Sequence, residues 1–373
     1  MKEKIFILIL VFCISCTHKK KTGSTQTDFD TEEIVIDLNK AKDINISQLM
    51  YRITPIRLSV PDEFPIGNIN KLIVTDECIY ILDSNKARAL FVFSKFGGID
   101  SIAFTNKSGD LITYINKIGQ GPGEYSNPSD FFIENETNNI VICDGNRRKI
   151  IFYSPIGEFL REIKLDFPII GVIQDENNNI VLDRGNFPEP NVKNYIVSIN
   201  NEGKITKEWV PIYPYLMGMI MIPRNPLQKF NNNIYYLPAL SNDIYVIEDG
   251  DAKIKYRINL GKDRPTIGLF EEVHTLHPKQ YLESLQKKVS LINFIQTKDY
   301  LHLDFRKGEN HYSYYYNKST KKSLLFFLKN PNKNGNVITT PIATYEDRFI
   351  YVMYKADESI SLGIFAINDN MLE

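Results

Sequence analysis

Leu72-Ile73-Val74-Thr75-Asp76, Ile79-Tyr80-Ile81-Leu82-Asp83, the loop Ser84 to Arg88, Leu90-Phe91-Val92-Phe93 and Gly97-Gly98 make up one unit, and the chain writes it a second time. The second copy runs Phe131-Phe132-Ile133-Glu134, Ile140-Val141-Ile142-Cys143-Asp144, the loop Gly145 to Lys149, Ile150-Ile151-Phe152-Tyr153 and Gly157-Glu158. Each copy reads as strand, turn, strand, basic loop, strand. Self-similarity over tens of residues marks a repeat architecture, because one such sheet cannot bury both of its faces alone.

The second-strand pattern recurs, eroded, at Ile180-Val181-Leu182-Asp183, Ile234-Tyr235-Tyr236-Leu237, Tyr300-Leu301-His302-Leu303-Asp304 and Ile350-Tyr351-Val352-Met353. Six units result, unevenly spaced, each built on a four-strand core of about 40 residues with the excess in loops. An all-β, six-bladed β-propeller with four-stranded blades is the expected fold. The last unit ends near Ile364-Phe365-Ala366-Ile367, which would leave an open edge. Ile34 to Leu38 and Tyr51 to Leu58 have no unit of their own, so a strand from this region is expected to close the last blade. Pro278 at a first turn, with Tyr281, Leu282, Leu285 and Val289 on one side and Lys279, Lys287 and Lys288 elsewhere, predicts one short inserted helix near 277–289.

Asp144-Gly145-Asn146-Arg147-Arg148-Lys149-Ile150, with Asp83 to Leu90 as its partner, resembles the Asp-x-x-Asn-x-Arg-Ile core of NHL-type propeller repeats. Gly119-Gln120-Gly121-Pro122-Gly123-Glu124-Tyr125, followed by Asn127-Pro128, is similar to the Gly-rich loop before the second blade of six-bladed propeller lipoproteins abundant in gut bacteria. The resemblance covers nearly the whole mature chain and is sharp over Ile69 to Leu165. Later blades depart from it, with a Pro-containing insertion over Arg184 to Asn194 and Pro238 where an Asp would stand.

The address is written at the start of the chain. Lys2 and Lys4 precede the apolar run Ile5 to Phe12, too short to span a bilayer core of about 30 Å, so residues 1–15 read as a cleaved signal sequence. Cys13-Ile14-Ser15-Cys16 resembles a lipobox, with Cys13 where Leu is usual, which implies lipidation of Cys16 and a membrane partner through that anchor. Residues 16–33 then form a polar tether, and 34–373 the propeller. His18, Lys19, Lys20 and Lys21 could touch anionic headgroups or simply be solvated. No acidic run follows the anchor, which favours a periplasm-facing outer-membrane position over the cell surface.

A chain of 373 residues that is 43% hydrophobic, with a formal net charge of −1, is ample for a core and carries no field calling for nucleic acid. Asp83, Asp144, Asp183 and Asp304 end second strands, and Arg88, Arg147, Arg184 and Arg306 lie in the loops that follow. Each Asp could accept N–H bonds in its own turn while the Arg bridges blades. Alternatively, acid and base form a polar ring that holds a ligand, with Arg as a bidentate donor. On that second reading Asp83, Arg88, Glu124, Tyr125, Asp144, Arg147, Arg184 and Arg306 are the ligand-binding residues. The Gly-rich loop could cradle an anion or be a tight crossover between blades.

Trp209 to Pro223, with its prolines and methionines, reads as a buried crossing or as an adaptable apolar surface. Cys78 and Cys143 are expected as free thiols, and His274, His277, His302 and His311 as structural residues; no metal or catalytic set is selected and no cofactor is required. Two functions remain: a non-catalytic, lipid-anchored scaffold holding a glycan, peptide or protein on its loop face, or a metal-dependent, lactonase-like hydrolase or lyase in the channel.

Overall fold

The computed structural model describes residues 31–373 except 45, 61–64, 95–107, 219–221, 274–277, 329–336 and 355–359. The signal sequence, Cys16 and nearly all of the tether lie outside the described residues, as do Gly97-Gly98, His274 and His277. The first described elements are β1 (Glu32–Val35), α1 (Ile46–Leu49) and β2 (Met50–Ser59). Six antiparallel sheets follow. Blade one is β3 (Lys71–Val74), β4 (Cys78–Asp83), β5 (Ala89–Ser94) and β6 (Ser108–Ile115). Blade two is β7 (Pro128–Ile133), β8 (Ile140–Asp144), β9 (Lys149–Tyr153) and β10 (Phe159–Lys164). Blade three is β11 (Gly171–Gln174), β12 (Ile180–Asp183), β13 (Asn194–Ile199) and β14 (Ile205–Pro211). Blade four is β15 (Leu227–Phe230), β16 (Asn233–Tyr236), β17 (Asp243–Glu248) and β18 (Asp251–Asn259). Helices α2 (Ile267–Val273) and α3 (Pro278–Gln286) lead to blade five, β19 (Ser290–Gln296), β20 (Tyr300–Lys307), β21 (Asn310–Asn317) and β22 (Ser323–Phe327). Blade six is β23 (Val337–Tyr345), β24 (Arg348–Tyr354) and β25 (Ile360–Ile367), completed by β2.

Burial within each blade follows from position in the wedge. Every residue of β8 and β9 is buried, because middle strands have neighbouring blades on both faces, and both read as continuous apolar runs. The outer strands β10 and β14 are mostly exposed and carry the charges. Six hydrophobic clusters each fill one space between consecutive blades. Between blades five and six the filling is aromatic, with Tyr315, Phe326, Phe349, Tyr351 and Phe365 all buried. Large flat side chains suit a space that widens outward from the axis.

Closure is more extensive than the sequence foretells. β2 pairs antiparallel with β25, Met50 opposite Ile367 and Ile56 opposite Leu362, as expected for the last blade. Its end also pairs parallel with β6, Leu58 opposite Gly109, which stitches blade six to blade one. Upstream, β1 adds a fifth, parallel strand to the outer edge of blade four, Ile34 opposite Ile258. Lys42 then bridges to Phe326 on the outer edge of blade five, its N–H donating to Leu325 O at 2.9 Å. The N-terminal strap therefore runs along the rims of three blades, and β1 begins at Glu32, before the expected domain start.

The helix expected near 277–289 is α3, which stops at Gln286, and a second helix, α2, precedes it. Val289 donates its N–H to Asp263 O at 2.9 Å and Ser290 opens β19, so the chain is committed to the sheet there. Leu216, Leu240, Phe270 and Leu285 form a small cluster that seats the helices on the loops of blades three and four.

Candidate functional site

Strand direction sorts the loops onto two faces. Crossovers between blades and loops from second to third strands share one face; hairpins joining first and second strands lie on the other. The aspartates and arginines singled out in the sequence sit on the crossover face, and most are spent on internal bonds. Asp83, fully buried, accepts from four backbone N–H groups: Gly67 (2.8 Å) and Asn68 (3.1 Å) on Oδ2, Asn85 (3.0 Å) and Lys86 (2.8 Å) on Oδ1. Asp144, also fully buried, accepts from Ser126 N–H at 2.6 Å, Ser126 Oγ at 2.8 Å and Arg147 N–H at 3.3 Å. Asp304 accepts from Asn293 Nδ2 at 3.1 Å, with His302 Nε2 3.0 Å from its other oxygen. A carboxylate held by backbone donors in its own turn recurs because the turn recurs.

The arginines divide. Arg184, with a side chain 1% exposed, donates to Asn194 O and to Glu208 at 2.8 Å. Arg88 donates to Ser126 O and so ties blade one to the crossover into blade two. Arg147 lies 4.0 Å from Asp144 and is partly open, while exposed Arg306 donates to Gly308 O at 3.0 Å. Tyr125 is fully buried, donating to Ile115 O (2.7 Å) and standing 3.1 Å from Arg88 O. Glu124 folds onto its own loop, accepting from Gly121 N–H at 2.7 Å. Tyr125 N–H donates to Lys117 O, Gly119 N–H to Tyr125 O and Gly123 N–H to Glu162, so the Gly-rich loop uses these amides internally, as a crossover does. Gly123 has φ +70° and stands against the Phe159 ring, a place for glycine on both counts.

Asp183 differs from Asp83 and Asp144. It is fully buried, Oδ1 accepts from Gly185 N–H at 2.8 Å and Tyr236 OH at 3.2 Å, and among the described residues Oδ2 has no hydrogen-bond partner. Burial pushes its pKa up to about 7, the charge of Asp130 adds to the rise, and the Gly185 and Tyr236 bonds oppose it. An aspartate raised above its unfolded value of about 3.9 binds its proton more tightly when folded, so its contribution is complete below about pH 4 and disappears as pH rises through about 7. The melting temperature should therefore fall across that window, and Asp183→Asn should flatten the fall; a calorimetric pH series checks it.

The cavity along the axis lies elsewhere. It has a volume of about 430 Å³ and takes lining residues from all six inner strands, β3, β7, β11, β15, β19 and β23. Thr75, Glu134 and Asn138, in the first hairpins, line it too, so it opens toward the hairpin face. At the crossover end Arg224 reaches from the entry to blade four to Ile69 O, 2.8 Å away at the entry to blade one on the far side of the axis. Lower on the wall, Lys71 of blade one pairs with Asp130 of blade two at 2.6 Å, and Asp130 accepts from Val172 N–H of blade three at 2.8 Å. At the mouth, Gln174 Oε1 accepts from Asn135 N–H at 2.8 Å, Asn135 Nδ2 donates to Asn178 Oδ1 at 3.1 Å, and Lys229 Nζ donates to Asn135 Oδ1 at 3.3 Å. A polar rim thus joins blades two, three and four. Sequence reading missed Lys71, Asn135, Gln174, Gln228 and Lys229; the available signal was a polar residue in or beside the first strand of a unit.

Other chemistry is scattered. Cys78 and Cys143 are free, Cys78 opening β4, and burial raises the Cys143 thiol well above its ordinary range. Among the described residues, no three His, Cys, Asp or Glu side chains are grouped so as to hold a metal ion. Trp209 ends blade three and donates its indole N–H to Gly250 O of blade four at 2.8 Å. Ile212 and Leu216 beyond it are buried, while Tyr215 and Ile222 are exposed.

A family model described as a 6-bladed beta-propeller, DUF5128, matches residues 24–352. The chain belongs to the DUF5128 family. This DUF5128 propeller aligns with the crystal structure of a Bacteroides fragilis protein that carries an exported-protein name, with a TM-score of 0.75 and 18% identity over 90% of this chain and 99% of that one. A DUF4221 member from Bacteroides vulgatus aligns with a TM-score of 0.54 and 8% identity, over 86% of this chain and 98% of that one. Virginiamycin B lyase from Staphylococcus aureus aligns at a TM-score of 0.42 and 15% identity, over 83% and 87%, too low to bear on activity. No curated protein matches the chain. At these identities the likeness to the solved structures is one of fold.

Proposed function

We propose that this propeller is a non-catalytic binding module, of the NHL type its repeats resemble, held to the outer membrane by a lipid on Cys16 and facing the periplasm, and that it takes a glycan, peptide or protein partner. The observation that carries this reading is the axial cavity of about 430 Å³ with its polar rim. That volume falls in the range of roughly 300–1,000 Å³ typical of sites that enclose small ligands, and its walls combine apolar side chains with a few placed polar groups. The channel is a better seat than the crossover face, where Asp83, Asp144, Arg184 and Tyr125 are bound up in the protein itself. Export is supported by the apolar leader Ile5 to Phe12 and by the name carried by the Bacteroides fragilis relative. A hydrolase or lyase in the channel would need converging metal ligands and gains no support from the described residues.

The test is an array of glycans and peptides probed with the mature protein. Thr344→Trp, which fills the channel wall, should weaken binding by about tenfold or more with the melting temperature unchanged. Arg147→Ala with Arg306→Ala should leave binding intact. The reverse pattern would return the site to the crossover face.

A further inference from the structure

We propose that the ligand seated in this channel carries a carboxylate, received by the Lys229 ammonium at the hairpin-side mouth. The inference rests on the channel being the binding site and adds the chemistry of what enters it. Charge on the wall is the starting point. Of the two lysines lining the cavity, Lys71 is already neutralised by Asp130 at 2.6 Å. Glu134, the one carboxylate among the described lining residues, accepts from Thr137 Oγ1 at 2.6 Å and Asn139 Nδ2 at 2.8 Å, within its own hairpin. Lys229 is left with a neutral partner, Asn135 Oδ1, at 3.3 Å.

Asp175 and Glu176 support the charge on Lys229 without forming an ion pair with it. Asp175 is spent on its own turn, accepting from Asn177 N–H at 2.9 Å and Asn179 N–H at 2.7 Å on one oxygen and from Asn179 Nδ2 at 2.8 Å on the other. Glu176 is exposed on the same turn. Both act on Lys229 at a distance, while burial acts against its charge. An ammonium has three donors, so two remain for an incoming acceptor.

Two of the neighbouring side-chain amides are already committed. Asn135 Nδ2 and Gln228 Nε2 are engaged, the latter with Asn225 O and Phe294 O. What the mouth offers an anion is one ammonium at the exposed edge of the cavity, not ion-paired with Glu134, where the apolar wall beside it strengthens its attraction relative to open water. A single compact ammonium with no guanidinium fork beside it suits a monoanionic carboxylate better than a doubly charged phosphate, which calls for several cations.

Calorimetric titration of the mature protein tests this with matched pairs: a uronate disaccharide against its neutral counterpart, and a dipeptide acid against its C-terminal amide. At least one acid should bind about tenfold or more tightly than its twin. The advantage should vanish in Lys229→Met, shrink with added salt, and survive in Lys204→Met, a control on an exposed loop of the same face. The pair that responds tells a sugar acid from a peptide terminus. Equal binding of acid and twin, binding by neither acid, or an advantage that persists in Lys229→Met overturns the inference. If Thr344→Trp abolishes binding while Lys229→Met does not, the channel stands and the carboxylate falls.

Discussion

Removal of residues 1–59 is expected to leave a chain without a cooperative unfolding transition. The deletion takes away β1, the Lys42 bridge and β2 together, opening the edges of blades four, five and six. It also withdraws Ile34, Ile36, Leu38, Leu49, Met50 and Ile56, all buried, from three of the six interblade clusters. At about 1.5–3 kcal/mol for each side chain the loss is on the order of 10 kcal/mol, comparable with the roughly 5–15 kcal/mol that holds an entire domain. A milder deletion of residues 1–42 keeps β2 and the closure of blade six while losing only Ile34, Ile36 and Leu38 from the core. It should lower the melting temperature and retain a single transition. Calorimetry of both beside the intact protein decides the matter: a 1–42 deletion as stable as the intact chain would mean that the rim strap on blades four and five does nothing, and equal stability of the two deletions would mean that β2 does not close the ring.

Asp130→Ala should be the most damaging single substitution among the polar groups that brace the channel wall. Asp130 receives the Lys71 ammonium at 2.6 Å from blade one, Phe131 N–H at 2.8 Å in blade two and Val172 N–H at 2.8 Å from blade three. Its loss leaves a lysine only 13% exposed without its counter-charge and a buried amide without its acceptor. Breaking a buried pair from one side costs about 3–5 kcal/mol. Lys71→Met added to Asp130→Ala should recover a large part of that, since the stranded charge is then gone. Asp183 supplies an internal reporter. The Asp130 charge helps raise its pKa, so in Asp130→Ala the pH-dependent fall in stability should move to lower pH. Chemical denaturation of the single and double variants at several pH values measures both effects.

The repeated turn chemistry was readable from residues alone. Asp83 and Asp144 occupy matching positions after matching strands, and the structure finds the same role in both, a carboxylate holding backbone N–H groups. The seat of the channel was not readable. Lys71, Gln174 and Lys229 lie in short inner strands of only four residues each, and nothing local distinguishes a polar side chain that faces the axis from one that faces solvent. The path of the strap was equally hidden. Parallel pairing of β1 with β18 joins residues more than two hundred positions apart, and an edge strand carries no mark of which edge it will meet.

Periodicity and apolar patterning by themselves determined the all-β class, the number of blades, the four-strand unit and the closure of the last blade from the N-terminal side. These follow from short-range rules, because alternation, turn residues and repeat spacing act along the chain. Which blades share the strap, which aspartates are left with an unmatched oxygen, and where an ammonium without an ion-pair partner meets an open cavity were decided only by the tertiary structure. Each depends on strands from different blades converging on one axis or one rim, and the free energy of burying or pairing a group there is set by neighbours that the sequence keeps far apart.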